Sequence, residues 1–264
     1  MPPSTMKIKV GEPGAQFLQR NHLDSRGNVD RQPAGLNFHK HRWGTTNPGM
    51  MYVEHGTHSF EIPHAVSITG TEDAEKLEEG IYSFSIRAGI TSADYILHNE
   101  ARIAFITLLQ TLAQAGWKKA LRYGAPRLTG EQAFRYYLEE DPYIALPIDY
   151  IPTLAEWMRI KNGSWYLYAD DLFLDINMHR DSERMNPQEP GGYLLSFSLY
   201  GREERGRKQV RPADRDQWQT LWVDMLKNLK KKRYAIEREL IEKGYTIDTG
   251  YVEPIIHPAD PVEP

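Results

Sequence analysis

The chain has 264 residues and a mass of 30.5 kDa, and with 40% hydrophobic and 11% aromatic side chains it can bury a substantial core in one large domain or two small ones. A formal charge of −4 and a pI near 6.2 set aside a general nucleic-acid binder, which carries a strongly basic face. No apolar run approaches the ~18 residues of a membrane-spanning helix, and the absence of cysteine excludes disulfides, thiolate metal sites and a cysteine nucleophile.

Residues 1–80 read as a β-rich N-terminal part. Met6 to Val10, Leu36 to Arg42, Met50 to Glu54, Ser59 to Thr69 and, just beyond, Ile81 to Ala88 are short β-branched or aromatic segments. Gly27-Asn28 and Asn47-Pro48-Gly49 separate them with turn chemistry, and the five acids between Thr71 and Glu79 predict a solvated loop or one helical turn. From Thr91 the period lengthens to about 3.6 residues. Thr91 or Ser92 is expected to cap a helix with Asp94 in its first turn. Leu97, Ala101, Ala104, Phe105, Leu108 and Leu112 form one face, while Ile103, Ile106 and Leu109 predict burial on more than one side. Gly116-Trp117 is its stop. Two short helices follow: 130–140, ended by Asp141-Pro142, and one opened by the capping box Thr153-Leu154-Ala155-Glu156 and stopped by Asn162-Gly163.

The stretch from Trp165 to Tyr200 is the expected centre of the fold. Leu172, Leu174, Ile176 and Met178 alternate with Phe173, Asp175, Asn177 and His179, and Tyr193, Leu195, Phe197 and Leu199 alternate in the same way, as half-buried antiparallel strands do. Pro187, Pro190, Gly191 and Gly192 make the loop of a hairpin. A long amphipathic helix is predicted from Asp214 to Lys243, about 45 Å long at 1.5 Å per residue. The expected class is α+β: an antiparallel sheet with both long helices on one face. The expected parts are 1–80, a core over 81–250 (strand, helix, β-hairpin, helix) and an extended tail over 251–264.

Two motifs invite a catalytic reading. Tyr168-Ala169-Asp170-Asp171 resembles the turn on which reverse transcriptases hold two metal ions with paired aspartates. That family needs a further aspartate well upstream, and the nearest candidate here, Asp149, lies only about twenty residues away in a proline-bracketed loop. A polar turn between two strands is the plainer expectation. Histidines gather early, at His39, His41, His55, His58 and His64, and an H-x-H pair on a strand points both rings to one face, as some metal sites require. The plainer expectation is hydrogen-bonding histidine, so no metal and no cofactor is assigned. No nucleophile elbow, Walker loop or Rossmann glycine pattern occurs, and no enzymatic activity is expected.

Charge is unevenly placed. Glu139 to Asp175 holds eight acids against Arg159 and Lys161, whereas Arg202 to Lys243 holds thirteen basic and eight acidic residues, with Lys230-Lys231-Lys232-Arg233 at its centre. The basic run is expected to be a solvated helix face. Aromatic residues mixed with acids on loops are the composition of a protein-binding surface, so Tyr136, Asp141, Tyr143, Asp149, Tyr150 and Trp157 are the expected partner-binding residues. Their negative charge would steer a basic partner. The early loops offer a second group: His39, His41, Trp43 and Tyr52.

The runs HNEARIAFITLLQTLAQAGWKKAL, DPYIALPIDYIPTLAEWM, WYLYADDLFLDINMHRD, GGYLLSFSLYG and GYTIDTGYVEP, in that order, resemble immunity proteins encoded beside type VI secretion antibacterial effectors, notably lipase effectors. The resemblance implies a non-enzymatic protein that caps the active site of a cognate toxin, commonly in the periplasm and often on a lipid anchor. The chain as given has neither a signal peptide nor a lipobox cysteine, so a periplasmic location requires a longer precursor. The alternative implied by the residues alone is a metal-dependent hydrolase built on the histidines.

Overall fold

The structure is a computed structural model that describes residues 5–44 and 46–260. Its elements, in chain order, are β1 (Thr5–Ile8), α1 (Gly14–Arg20), α2 (Ser25–Asn28), β2 (Val29–Gln32), β3 (Leu36–Arg42), β4 (Gly49–Val53), β5 (Phe60–Asp73), β6 (Ile81–Gly89), β7 (Ile96–Leu97), α3 (His98–Gln114), β8 (Lys118–Lys119), α4 (Gly130–Glu139), α5 (Leu154–Arg159), β9 (Asn162–Ala169), β10 (Leu172–Arg180), β11 (Pro190–Gly191), β12 (Tyr193–Gly201), α6 (Arg202–Arg207) and α7 (Trp218–Glu242). Ten strands form one mixed sheet in the order β1-β4-β5-β6-β12-β10-β9-β8, with β3 also on β5 and β2 on β3. Only β1 and β4 run parallel within it. The 14-residue β5 pairs β4 through its first half and β3 through its second, so the N-terminal strands extend the central sheet instead of forming one of their own.

The alternation in β10 decides what covers each face. Leu172, Leu174, Ile176 and Met178 join Leu195, Phe197 and Leu199 of β12 and Phe84, Ile86 and Ala88 of β6 in the main core, where α3 lays down Ala101, Phe105, Leu109 and Leu112. Phe105 meets Trp165 of β9 with ring centroids 4.4 Å apart. The flank of α3 at Ile106 is half-buried, with the 146–152 segment alongside it, whereas Ile103 and Ala104 are exposed. Phe173 and Tyr200 point the other way and pack with Trp218, Trp222 and Leu226 of α7. The class is α+β as the periodicities predict, but the two long helices lie on opposite faces: Trp218 and Trp222 find their apolar partners in Phe173 and Tyr200, on the side of the sheet away from α3.

Three boundaries move for local reasons. Residues before His98 are held extended by the pairing of Ile96 and Leu97 with Gly191 and Pro190, so α3 begins after Leu97 and not near Thr91. Pro212–Gln217 is a tighter 3₁₀ turn, pinned by Arg211 on Asp214, and α7 follows it. Asn162 and Gly163 open β9 instead of ending a helix, because α5 already stops at Ile160 in an extended conformation. The Thr153/Glu156 capping box forms in full. Gly116 takes φ +89°, and the Trp117 amide returns to the Leu112 carbonyl (3.0 Å). The tail is docked: Tyr251 and Ile256 are buried, and the Tyr251 hydroxyl accepts the Leu121 amide. Among the described residues no helix is long and apolar enough to cross a membrane.

Candidate functional site

The predicted partner-binding residues divide by burial. Trp157 is 1% exposed and donates its indole N–H to the Tyr193 hydroxyl (3.1 Å), and Tyr136 is buried against Tyr245, so both are core residues. Tyr150 is half-buried beside Phe134, and its hydroxyl is pushed up to about 12 by its hydrogen bond to Glu156 (2.7 Å) together with burial. Asp149 accepts from the Thr129 hydroxyl and the Gly130 amide, at the start of α4. Asp141 accepts the Tyr143 amide (2.9 Å) in an Asx turn, which fixes the tip of the loop. Tyr143 itself is 77% exposed. Two further bonds hold that tip: the Ile144 amide to the Asp141 carbonyl (3.2 Å), and the Leu146 amide to the Ser164 carbonyl of β9 (2.7 Å).

The two motifs with catalytic readings meet in space. Asp170 and Asp171 are the two-residue turn between β9 and β10, with Asp170 at φ +51°. His58 Nε2 lies 3.3 Å from Asp170 and His55 Nε2 lies 3.9 Å from Asp171. Each imidazole is also bound to the backbone: His58 Nδ1 donates to the Ala115 carbonyl at the end of α3 (2.6 Å), and His55 Nε2 donates to the Ala169 carbonyl (3.0 Å). The histidines thus tie the turn to α3 and to the chain before β5. His39 lies elsewhere, buried against Glu72 (3.1 Å), whose other oxygen accepts the Gly14 amide. His41 packs edge-on to Trp43, and its pKa is lowered by burial. Among the described residues no three His, Cys, Asp or Glu side chains come together as a metal-binding group.

A site that no motif announced lies on the α7 face. Asp175, one position beyond Leu174, points away from the main core beside the stacked rings of Tyr168, Phe173 and Tyr200. The Tyr200 hydroxyl donates to both Asp175 oxygens (3.0 and 2.9 Å). Since α6 follows β12 without a break, Arg205 is delivered beneath the same group. It is 5% exposed and donates to the Tyr200 oxygen (3.2 Å) and to the Leu121 carbonyl (2.9 Å), with its guanidinium over the Tyr123 and Phe173 rings. Lys208 stands 3.4 Å over the Tyr200 ring, and Arg122 donates to the Tyr166 hydroxyl (2.7 Å). These residues line a cavity of about 540 Å³ with Lys232, Leu229 and Ile236 of α7, and Tyr136 and Asp141 complete its wall.

Burial raises Asp175 above the ordinary carboxylate value, opposed by Arg205, Lys208, the Tyr200 hydrogen bond and Arg122. Burial pushes Tyr123 up to about 12 and drives Tyr200 upward as well, reinforced there by the Asp175 charge. Burial works against the charge of Arg205, yet its net shift is upward because Tyr200, Tyr123 and Asp175 surround it. The hydroxyls therefore stay protonated at neutral pH, and the cavity is a fixed array of donors with a net excess of cations.

The basic run of α7 is divided by the helix. Lys231 and Lys232 are exposed, whereas Arg233 is 1% exposed and donates to the Ala125 and Arg122 carbonyls and to Glu253. The expectation of a solvated face holds for Lys231 and Lys232 and fails for Lys230, which pairs with Glu253 (3.7 Å), and for Arg233, which anchors the segment bearing Arg122 to α7. Sequence spacing carried no sign of this cavity, because its residues come from six separate elements and the loops between them. The nearest signal was Asp175, a carboxylate between Leu174 and Ile176 of the central strand. Comparison of the chain with protein-family models, curated proteins and solved structures finds no match.

Proposed function

We propose that this protein is a non-enzymatic inhibitor that binds and neutralises a cognate antibacterial toxin, of the kind that type VI secretion delivers, and that it does so in the periplasm. The observation that supports this reading is Tyr143. A large aromatic side chain that is 77% exposed, on a loop pinned by Asp141 and by β9, is an anchor ready to enter a partner's pocket. Because the loop is already ordered, little conformational freedom remains to be lost on binding. The half-buried Asp141 lies beside it, and the same connecting segment carries the exposed Asp149, polar groups next to an aromatic centre.

The test is binding of the toxin encoded beside this gene. The intact protein is expected to bind it tightly and to protect cells that express it, and Tyr143→Ala is expected to raise the dissociation rate at least ten-fold, or about 1.4 kcal/mol. Equal binding and protection by Tyr143→Ala moves the interface elsewhere. Metal analysis of the purified protein separates the competing hydrolase reading: a stoichiometric metal that is lost on replacing His39 and His41 would favour the enzyme.

A further inference from the structure

The cavity over Asp175 has an imbalance that the fold does not use. Four cations line it, Arg122, Arg205, Lys208 and Lys232, against two carboxylates, Asp141 and Asp175. Elsewhere several partly buried basic residues find acids, Arg127 with Glu237, Arg207 with Glu79 and Arg233 with Glu253, although the buried Arg180 has the Trp157 carbonyl and the Trp157 and Tyr193 rings instead. Within the cavity Asp175 and Arg205 share the Tyr200 hydroxyl and offset one another. No ion pair among the described residues involves Arg122, Lys208 or Lys232, and the Arg205 Nε is buried without a hydrogen-bond partner. Three cations at one opening, none of them in a direct ion pair among the described residues, leave a net positive charge after Asp141 is counted and favour an anion of more than one charge.

We propose that this cavity binds a small organic phosphate monoester. A phosphate monoester carries about −2 charge at neutral pH and three acceptor oxygens, which suits the planar fork of Arg122 and the point charges of Lys208 and Lys232. A volume of about 540 Å³ exceeds what a bare phosphate fills and lies in the range of small-molecule sites. The remaining walls are Tyr123, Tyr166, Leu229 and Ile236, an aromatic and aliphatic lining for the organic part of the ester. Asp175 at the floor, held by the Tyr200 hydroxyl, supplies an acceptor for a hydroxyl group of the ligand. The site stands on different residues from Tyr143 and does not depend on the toxin-binding reading.

Calorimetry with phenyl phosphate, inorganic phosphate and benzoate tests it. Phenyl phosphate is expected to bind saturably, more tightly than inorganic phosphate because of the aromatic walls, and more tightly than the singly charged benzoate. Arg122 and Lys208 are both exposed, so Arg122→Met combined with Lys208→Met is expected to keep the circular-dichroism spectrum and a single cooperative melt, with only a small drop in midpoint from the lost Tyr166 and Tyr200 contacts, while weakening phenyl phosphate roughly ten-fold or more. No saturable binding at millimolar phenyl phosphate, equal affinity for benzoate, or binding unaffected in the double variant would each overturn the proposal.

Discussion

Tyr200 of β12 holds both carboxylate oxygens of Asp175 on β10 through a single hydroxyl, at 2.9 and 3.0 Å. Removing that hydroxyl leaves a half-buried carboxylate without its donor and Arg205 without one of its two acceptors. Tyr200→Phe is expected to destabilise the protein by about 1–3 kcal/mol, read from urea unfolding midpoints at constant slope.

Asp175 also gives stability a pH dependence of known sign. Its folded pKa lies above the ordinary 3.8, so folding favours the neutral acid. The contribution is full below 3.8 and is lost as pH rises through the raised value. Asp175→Asn, neutral throughout, should therefore gain on the parent protein across that window. Unfolding curves at a series of pH values that show a constant difference would sink this assignment.

The turn at Asp170 and the end of α3 are bound by His58, and both rest on left-handed backbone. At Gly116, φ is +89° and an added Cβ would stand 2.6 Å from His58 Nδ1, so Gly116→Ala is expected to cost about 1–3 kcal/mol. Asp170→Asn, which tolerates φ +51°, should change stability by less than about 0.5 kcal/mol, whereas Asp170→Val should cost about 1–2 kcal/mol. Loss of a metal-dependent nucleotidyl transfer activity in Asp170→Asn with Asp171→Asn would instead make this turn catalytic.

Phe105 and Trp165 join α3 to β9 at the middle of the main core, both nearly fully buried. Phe105→Ala is expected to destabilise by about 3–5 kcal/mol, enough to unfold a sizeable fraction of the protein only if its total stability lies near the low end of about 5–15 kcal/mol. Phe105→Leu, which keeps most of the apolar volume, should recover most of that loss, and thermal melts will distinguish the two variants.

Asp149 accepts from Thr129 and Gly130 as α4 begins, so its replacement reads out helix stability as well as charge. Asp149→Ala is expected to cost about 1 kcal/mol and Asp149→Asn, which keeps an acceptor oxygen, appreciably less. Any change in the association rate of the proposed partner should be judged against the Asn variant, which removes the charge and keeps the cap.

What could be read from the residues follows the range of the interactions. The strands of the central hairpin, the Gly116 stop, the Thr153 capping box and the α+β class rest on neighbours within a few positions, and they appear as expected. The faces chosen by the long helices do not, because Trp218 could reach either side of a sheet until Phe173 and Tyr200 are known to share one. The start of α3 was hidden by a pairing of Ile96 with Gly191, across 95 residues. Tyr136 and Trp157 show the same limit: an aromatic residue in acidic surroundings looks like a surface anchor until the partners that bury it are in place. The cavity was least visible, since Arg122, Asp175, Tyr200, Arg205 and Lys232 have no common spacing.

The strand order has a consequence for biosynthesis. β12 lies between β6 and β10, although more than a hundred residues separate β6 from β12 in the chain. A nascent chain that has emerged as far as Gly89 can pair β1 to β6, but the inner edge of β6 stays bare until Tyr193 to Gly201 leave the ribosome. At about 5–20 residues per second that interval lasts roughly 5–20 s. The exposed edge carries Phe84, Ile86 and Ala88, which belong to the finished core. Such an edge is a template for pairing between chains, so translational pausing or premature termination before β12 should yield aggregates.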